Sequence, residues 1–262
     1  MTPDQIETAG NSLYQAEQSR VQRGLLSAEY PIATMNDAYA VQKAFAARKH
    51  AAGRHTIGWK IGLTSRAMQQ QLNIETPDSG VLLDDMAFET GAIIPANRFI
   101  APRIEAEIAF VMKAPLQGQV TREQVLAATD YVTPALEILD SRILRAENGK
   151  TRTIIDTISD NAANAGIVTG PARHSPSLDL RWVGAIVSRD GVVEETGLGA
   201  GVLNDPVIGI VWLAARMGQY GQRIEPGQII LSGSFIRAME CPTGCRIHAD
   251  FGPFGQLSCH FA

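Results

Sequence analysis

Three glutamates, Glu105, Glu107 and Glu137, have the residue type and spacing of a metal site. Glu105 and Glu107 alternate with apolar residues in the segment 103–111, so both side chains leave the same face of a strand that is predicted at 103–112. Glu137 lies on a second apolar run, residues 134–140. Carboxylates on a core-bound strand repel each other unless a cation joins them, and hard oxygen ligands suit Mg²⁺ or Mn²⁺. The alternative is ordinary strand patterning, with the polar face in water.

Lys60 is the next candidate for chemistry. Strand alternation places it on the same face as Gly58 and Gly62. Glycine inside a strand often marks the close approach of a ligand or of another backbone, so this amine can reach a bound molecule without obstruction. The alternative is an edge lysine whose ammonium group extends into solvent.

Two other motifs resemble known sites but fail on spacing or context. The segment 197–201 is rich in glycine, yet it lacks the strand-to-helix setting and the final spacing of a dinucleotide-binding loop. The cysteines and histidines near the C-terminus do not have the spacing of a structural zinc site, so we predict buried, reduced thiols. These residues are Cys241, Cys245, Cys259, His248 and His260.

Composition narrows the class of protein. The chain has 262 residues with 45% hydrophobic content, which is enough for a sizeable core. Its net charge of −4 gives no reason to expect nucleic acid as a partner. No apolar run approaches the length of a membrane span, and no secretory signal opens the sequence. We therefore expect a cytoplasmic protein without a membrane partner.

The elements that must position these residues follow from hydrophobic periodicity. Helices are predicted at 4–26, at 36–53 and at 208–217, and a short one after Ser65, through Met68 and Leu72. A capping box of Thr121 with Gln124 predicts the start of another helix. Strands predominate beyond the turn at 76–80, which contains Asp78. We predict an α+β fold: residues 1–75 form a helical N-terminal region with the Lys60 strand, and residues 76–262 form a mixed-β body.

Three motifs together carry a resemblance to a known family: 58–65 (GWKIGLTS), 102–107 (PRIEAE) and 135–142 (ALEILDSR). With them the sequence resembles the hydratase/decarboxylase family of meta-cleavage pathways, within the fumarylacetoacetase-like superfamily. The resemblance covers nearly the whole chain. It implies a fumarylacetoacetase-like body, a homo-oligomer and a small-molecule substrate, a 2-oxo or 2-hydroxy dienoic acid.

The resemblance also implies roles for particular residues. Glu105, Glu107 and Glu137 match the metal-binding carboxylates, which take Mg²⁺ or Mn²⁺, and Lys60 matches the active-site lysine. Asp78 follows Pro77, as in the hydratases of the family, whereas the decarboxylases tend to carry an apolar residue after the proline. The resemblance therefore favours hydration, with Lys60 and Asp78 as the catalytic residues.

Within the family, the resemblance implies a seven-carbon diacid as the substrate, 2-oxohept-4-ene-1,7-dioate, whose second carboxylate needs a cationic partner. We predict that Arg237 binds this distal carboxylate, with Arg142 as the reserve candidate; a surface arginine on a loop is the alternative. In the polar segment 156–166, we predict that three side chains orient substrate or water. They are Ser159, Asn161 and Asn164.

Other functions fit the same family. They are hydration of the five-carbon 2-oxopent-4-enoate, decarboxylation of 4-oxalocrotonate, C–C hydrolysis of an acylpyruvate, and a non-catalytic role as partner subunit of a sister enzyme. A non-catalytic partner could lose its metal ligands without penalty. Every ligand position is filled here, which favours catalysis.

Overall fold

The N-terminal part of the protein is a helical layer. The computed structural model describes residues 1–66, 69–70, 74 and 76–262, so the predicted helix through Met68 and Leu72 lies outside the described residues. The layer contains α1 (Pro3–Ser19), α2 (Leu26–Glu29) and α3 (Met35–Ala51). The predicted first helix is too long at its C-terminal end, because Arg20 adopts a left-handed conformation that ends α1.

Capping boxes fix where the longer helices begin. Thr2 and Gln5 exchange hydrogen bonds at the start of α1, and Thr34 and Asp37 do so at the start of α3. Three further helices follow in the body: α4 (Arg122–Ala128), α5 (Ile154–Ser159) and α6 (Pro206–Gln219). The predicted cap of Thr121 with Gln124 is present at the start of α4.

Fifteen strands are found in the described residues. They are β1 (Thr56–Gly62), β2 (Asp78–Leu83), β3 (Ala87–Glu89), β4 (Ala92–Ile94), β5 (Arg103–Met112), β6 (Thr129–Leu139), β7 (Ala146–Glu147), β8 (Lys150–Thr151), β9 (Asn164–Thr169), β10 (Gly184–Arg189), β11 (Val192–Leu198), β12 (Ile229–Leu231), β13 (Met239–Glu240), β14 (Arg246–Asp250) and β15 (Gln256–Phe261). Strand β5 has the predicted bounds. Strand β6 begins five residues earlier than predicted, because the β-branched segment before Pro134 also pairs with β5.

The strands form two principal sheets. The main sheet has the order β2-β1-β12-β5-β6-β9-β3, with β13 also pairing β5, and the second has the order β11-β10-β14-β15-β4. Strand β1 pairs with both β2 and β12, so the Lys60 strand is part of the main sheet. The division of the chain into regions 1–75 and 76–262 stays a prediction. The α+β class and the mostly β body are confirmed.

The two faces of the main sheet differ in character. Ile104, Ala106 and Ile108 on β5 pack in the principal core together with Ala249 and Leu257 of the second sheet. Because side chains alternate along a strand, Glu105 and Glu107 leave the opposite face. The three cysteines are free and buried, as predicted.

One segment is more apolar than the sequence analysis allowed. Gly199–Gln219 reaches a mean hydropathy of 1.2, and by length and composition alone it is apolar enough to cross a membrane. Its helical part, α6, buries Val207, Ile210 and Leu213 in the principal core. The apolar character of α6 is therefore explained by burial on the body.

Candidate functional site

Strand register brings the three glutamates together. Glu105 on β5 lies directly opposite Glu137 on β6, and Glu107 is two residues further along the same face. One carboxylate oxygen from each residue lies within 4.8 Å of the other two. Glu107 and Glu137 are fully buried, and Glu105 is half-buried. The alternative, a polar strand face in water, is thus excluded for Glu107 and Glu137.

The donor set fits a hard divalent cation. Glu107 Oε1 and both carboxylate oxygens of Glu137 are buried and accept no hydrogen bond from the described residues. The other oxygen of Glu107 accepts from the backbone N–H of Gly233 at 2.8 Å, which holds that side chain in place. Buried carboxylates without donors are costly unless a cation coordinates them, and oxygen ligands of this kind suit Mg²⁺. The cluster is therefore a candidate metal centre.

Proximity and burial change the proton affinity of all three carboxylates. Burial, and then repulsion from Glu137, raises the pKa of Glu105 from 4.5 to about 8. Burial, followed by repulsion from Glu137 and Glu105, holds the pKa of Glu107 well above its ordinary value. Burial also raises the pKa of Glu137, although the Lys60 ammonium opposes this. The metal-free cluster therefore retains protons that a bound cation must displace.

We expect the thermal stabilisation by Mg²⁺ to grow as the pH rises from about 5.5 to about 8. The pKa of Glu105 is raised in the folded protein, so its contribution to the metal-free fold is lost as the pH rises from 4.5 through about 8. Mg²⁺ binds the ionised carboxylates and offsets that loss. Differential scanning calorimetry with Mg²⁺ or chelator across this range measures both effects.

The Glu105→Gln variant serves as the control for this pH dependence. It removes one titrating group, so the decrease of Tm with pH in chelator should become shallower. A Mg²⁺-induced increase in Tm that is equal at both ends of the pH range would contradict the assignment.

The ammonium group of Lys60 reaches the carboxylate cluster. Lys60 is 4% exposed, and its Nζ lies 3.3 Å from Glu137 Oε1. It also donates to the carbonyl oxygen of Ala162 at 3.3 Å. Burial lowers the pKa of Lys60, but Glu137, Asp78 and the other two carboxylates outweigh it and raise that pKa above its usual value. Lys60 is thus a buried cation beside the candidate metal centre, and the solvent-exposed alternative is excluded.

Asp78 completes the group on this face. It pairs with Gly62 across β1 and β2, and a side chain at Gly62 would meet Asp78 Oδ1 and lie 3.1 Å from Lys60 Nζ. The glycine therefore provides the space that both side chains occupy. Burial raises the pKa of Asp78, while Lys60 and the N–H of Gly62 lower it. A buried carboxyl group beside a buried ammonium group is a suitable pair for proton transfer.

The side chains of the three residues that were predicted to orient substrate form hydrogen bonds with backbone groups of the protein. Ser159 donates to the carbonyl oxygen of Ile155. Asn161 accepts from the N–H of Val81 at 2.7 Å and donates to its carbonyl oxygen at 3.0 Å, and Asn164 also donates to that carbonyl. Val81 lies on β2, an edge of the main sheet, so the two asparagines replace a neighbouring strand. Their contact with substrate stays a prediction.

The two predicted anchors for a distal carboxylate are in different settings. Arg142 is 1% exposed; its guanidinium group forms an ion pair with Asp160 and donates to the carbonyl oxygen of Asn164. These contacts give Arg142 a structural role, so we do not propose it as an anchor. The side chain of Arg237 is 85% exposed and pairs with Glu195 at 2.7 Å. Arg237 is thus accessible, but binding a substrate requires it to exchange that partner.

Two contributors to the site escaped sequence reasoning because they act through backbone atoms. The N–H of Gly233 supports Glu107 from 126 positions away in the sequence, and the carbonyl of Ala162 contacts Lys60 from 102 positions away. No local pattern marks either group.

A groove of about 500 Å³ lies elsewhere on the protein. Its lining includes Arg98, Arg103 and Arg189, but none of the three glutamates of the cluster, nor Lys60 or Asp78.

Comparisons with known proteins agree with this geometry. No protein-family model matches the sequence. The chain is 50% identical over 253 residues to 2-oxo-hept-4-ene-1,7-dioate hydratase from Escherichia coli, and the alignment covers 95% of each chain. It is 43% identical over 236 residues to 2-keto-4-pentenoate hydratase from Paraburkholderia xenovorans (strain LB400), covering 89% of this chain and 86% of the relative.

A solved structure matches over almost its full length. The 4-oxalocrotonate decarboxylase from Pseudomonas putida G7, complexed with magnesium and adipate, superposes with a TM-score of 0.94 at 34% identity, covering 100% of this chain and 99% of the other. The sandwich of sheets with its buried carboxylate cluster has the fumarylacetoacetase-like fold. Within that fold, the chain belongs to the hydratase/decarboxylase family of meta-cleavage pathways.

Proposed function

We propose that this protein is a divalent-metal-dependent hydro-lyase that adds water to 2-oxohept-4-ene-1,7-dioate, giving 4-hydroxy-2-oxoheptane-1,7-dioate in aromatic catabolism. The observation that carries the proposal is the buried group of three convergent carboxylates, with Lys60 Nζ 3.3 Å from Glu137 Oε1. The 50% identity to 2-oxo-hept-4-ene-1,7-dioate hydratase supports this substrate among those that the family uses.

The residues that would hold the metal are Glu105, Glu107 and Glu137, and we propose Mg²⁺ or Mn²⁺. A divalent cation held there supplies Lewis-acid polarisation of the substrate's 2-oxo group. The magnesium complex of the related decarboxylase supports the choice of metal. Neutralising the three carboxylates also weakens their effect on Lys60, so the pKa of the lysine moves down toward the range useful for proton transfer.

We assign the proton transfers to Lys60 and Asp78. The 2-hydroxy-2,4-diene loses the proton of its hydroxyl group and gains one at C5, which gives the 2-oxo-3-ene. Water then adds its oxygen at C4 and a proton at C3. Both steps need a donor and an acceptor of protons, and both side chains lie on the carboxylate face of the sheet, almost fully buried.

Arg237 is proposed to bind the distal carboxylate of the diacid. It lies on the segment that follows Gly233, whose N–H supports Glu107, and its guanidinium group is accessible. The Arg237→Ala variant is expected to raise KM for the seven-carbon diacid by about 10- to 100-fold, because a charge-assisted pair is worth about 1.5–3 kcal/mol. Steady-state kinetics on the diacid and on 2-hydroxypenta-2,4-dienoate measure the difference.

The five-carbon monoacid is the internal control, since it has no distal carboxylate. Its KM should change little in the Arg237→Ala variant. The Glu195→Gln variant, which releases Arg237 from its present partner, should lower KM for the diacid or leave it unchanged. Equal losses on both substrates in the Arg237→Ala variant would remove the assignment.

Decarboxylation is the second candidate, favoured by the TM-score of 0.94 to 4-oxalocrotonate decarboxylase. The deciding experiment gives the protein 2-hydroxyhepta-2,4-diene-1,7-dioate or 4-oxalocrotonate, with Mg²⁺, Mn²⁺ or chelator. Hydration removes the dienol absorbance without CO₂ release, whereas decarboxylation releases CO₂. Metal-dependent loss of absorbance on the diacid supports the proposal, and CO₂ release from 4-oxalocrotonate alone overturns it. Inactivity on both would indicate a non-catalytic partner subunit.

We further propose a cytoplasmic homo-oligomer. The second sheet and its flanking turn expose large apolar side chains, which a subunit interface would cover. They are Trp182, Ile186, Val192, Val193 and Leu198. Light scattering coupled to size-exclusion chromatography measures the mass of the assembly, and a monomeric mass would contradict this part of the proposal.

A further inference from the structure

A left-handed turn lies beside the site and contains no glycine. Asn161, Ala162 and Ala163 have φ angles of 54°, 52° and 58°. Residues with a Cβ atom rarely adopt this conformation, and three in succession persist only where the surroundings impose it. The turn connects α5 to β9, and its middle residue presents the carbonyl oxygen that accepts from Lys60 Nζ at 3.3 Å.

Contacts on both sides hold this turn. On one side, Asp160 receives hydrogen bonds from the backbone N–H of Arg142 and from Ser141 Oγ, both at 2.9 Å, and forms an ion pair with the Arg142 guanidinium. Arg142 Nη2 also donates to the carbonyl oxygen of Asp160 at 2.6 Å. On the other side, the N–H of Asp140 donates to the carbonyl oxygen of Ala163 at 2.8 Å.

The turn is also pinned to β2 at its first residue. The side chain of Asn161 bonds both backbone groups of Val81. The carbonyl oxygen of Asn161 packs so closely on Gly80 that a side chain at that glycine would collide with it. The position of the Ala162 carbonyl is therefore determined from three directions.

Consequently Lys60 has few positions available. Its ammonium group lies between the Ala162 carbonyl and Glu137, and Gly62 leaves the remaining space open toward Asp78. An ammonium group carries three N–H donors. One of them donates to the Ala162 carbonyl, and the ammonium charge pairs with Glu137 Oε1, so these two groups fix where the remaining donors lie relative to a reacting molecule.

We infer that Arg142 and Asp160 are positioning residues for Lys60, acting through the left-handed turn 161–163 and the carbonyl of Ala162. This inference rests on the proposed role of Lys60 in proton transfer. A misplacement of about 1 Å costs on the order of 10²-fold in rate. Loosening the turn should therefore slow proton transfer without changing the metal-binding strands β5 and β6.

The test uses the Asp160→Asn variant, with Asp156→Asn as the matched control. Asp156 is equally buried and lies on α5, the helix that Asp160 directly follows, but its side-chain partners are Ser27 and Thr153, away from the turn. The readout is deuterium exchange at C3 of 2-oxopentanoate in Mg²⁺-containing D₂O, followed by NMR. Asp160→Asn is expected to exchange about 10- to 100-fold more slowly than the wild type, through kcat and with little change in KM. The Mg²⁺ affinity of Asp160→Asn, measured by calorimetry, should equal that of the wild type. Asp156→Asn should have a lower Tm than the wild type and the same exchange rate.

Several outcomes would overturn the inference. Equal losses of rate in the two variants would mean a general loss of stability, and a loss that follows Mg²⁺ affinity would mean an effect on the metal centre. If Asp160→Asn does not fold, Ser141→Ala removes a single donor to Asp160 and should slow exchange to a smaller extent in the same way; no slowing would overturn the inference.

A crystal structure of the variant tests the geometry independently of activity. The distance from Lys60 Nζ to the Ala162 carbonyl oxygen should lengthen from 3.3 Å; an unchanged distance would refute the positioning role. The wild type decides the proposed function separately. If it neither exchanges 2-oxopentanoate nor hydrates the diacid, the proposed function fails, and the crystallographic distance alone decides whether Arg142 and Asp160 position Lys60.

Discussion

The Glu107→Gln variant is expected to lose Mg²⁺ binding and at least about 10³-fold in kcat/KM, because a Lewis-acid metal supplies several kcal/mol and each 1.36 kcal/mol is tenfold. Glu107 is fully buried, and its Oε1 has no hydrogen-bond donor among the described residues. The amide oxygen of glutamine can still accept from the N–H of Gly233. The variant should therefore fold normally while the cluster loses one negative charge.

The stability of the variant distinguishes a metal ligand from a structural residue. In chelator its Tm should equal or exceed that of the wild type, since the substitution removes repulsion among buried carboxylates. Added Mg²⁺ should raise the wild-type Tm and leave that of the variant nearly unchanged. The exposed Glu89 on β3 provides the control: Glu89→Gln makes the same chemical change and should keep activity and Mg²⁺ response. A full Mg²⁺ response in Glu107→Gln would disprove its role as ligand.

The Lys60→Met variant is expected to lower kcat by about 10²- to 10⁴-fold, the range typical of a general acid or base. Methionine keeps the apolar stem but removes the ammonium group that lies 3.3 Å from Glu137. Mg²⁺ binding should be retained or strengthened, because a positive charge next to the cation site has been removed. Steady-state kinetics at saturating Mg²⁺, together with the Mg²⁺-induced change in Tm, separate the two effects.

Lys49 offers a matched control for the loss of a buried lysine. It is 3% exposed and pairs with Glu17 on α1 and with Asp85 in the turn between β2 and β3. The Lys49→Met variant should lose stability, since it removes the buried cation that two partly buried carboxylates share, and yet keep its kcat. If the two lysine variants lose kcat to the same extent at matched stability, Lys60 is a structural residue.

Local patterns in the sequence were sufficient for the single elements of the site. The alternation in residues 103–111 predicted that Glu105 and Glu107 share a face, and β5 has the predicted bounds. Helix starts were also accessible where a capping box is present, as at Thr121. These features depend on neighbours a few residues apart, so the sequence contains all the information needed.

The burial and the partners of individual polar side chains could not be predicted from local patterns. Arg142 and Arg237 are both arginines in polar segments, yet one is buried against Asp160 and the other is 85% exposed. Asn161 and Asn164 were predicted to contact substrate, and the structure adds that their side chains complete the edge of β2, which no local pattern indicated. Which of these outcomes occurs depends on what packs above each residue, and that partner comes from a distant part of the chain.

The sequence by itself thus determined the family, the carboxylate face of one strand and an unobstructed lysine flanked by glycines. Only the tertiary structure placed Glu137 opposite Glu105 and the Ala162 carbonyl beside Lys60. The physical reason is that side-chain alternation is a local property of the backbone. Strand order and register, in contrast, follow from packing among residues that lie far apart in the chain.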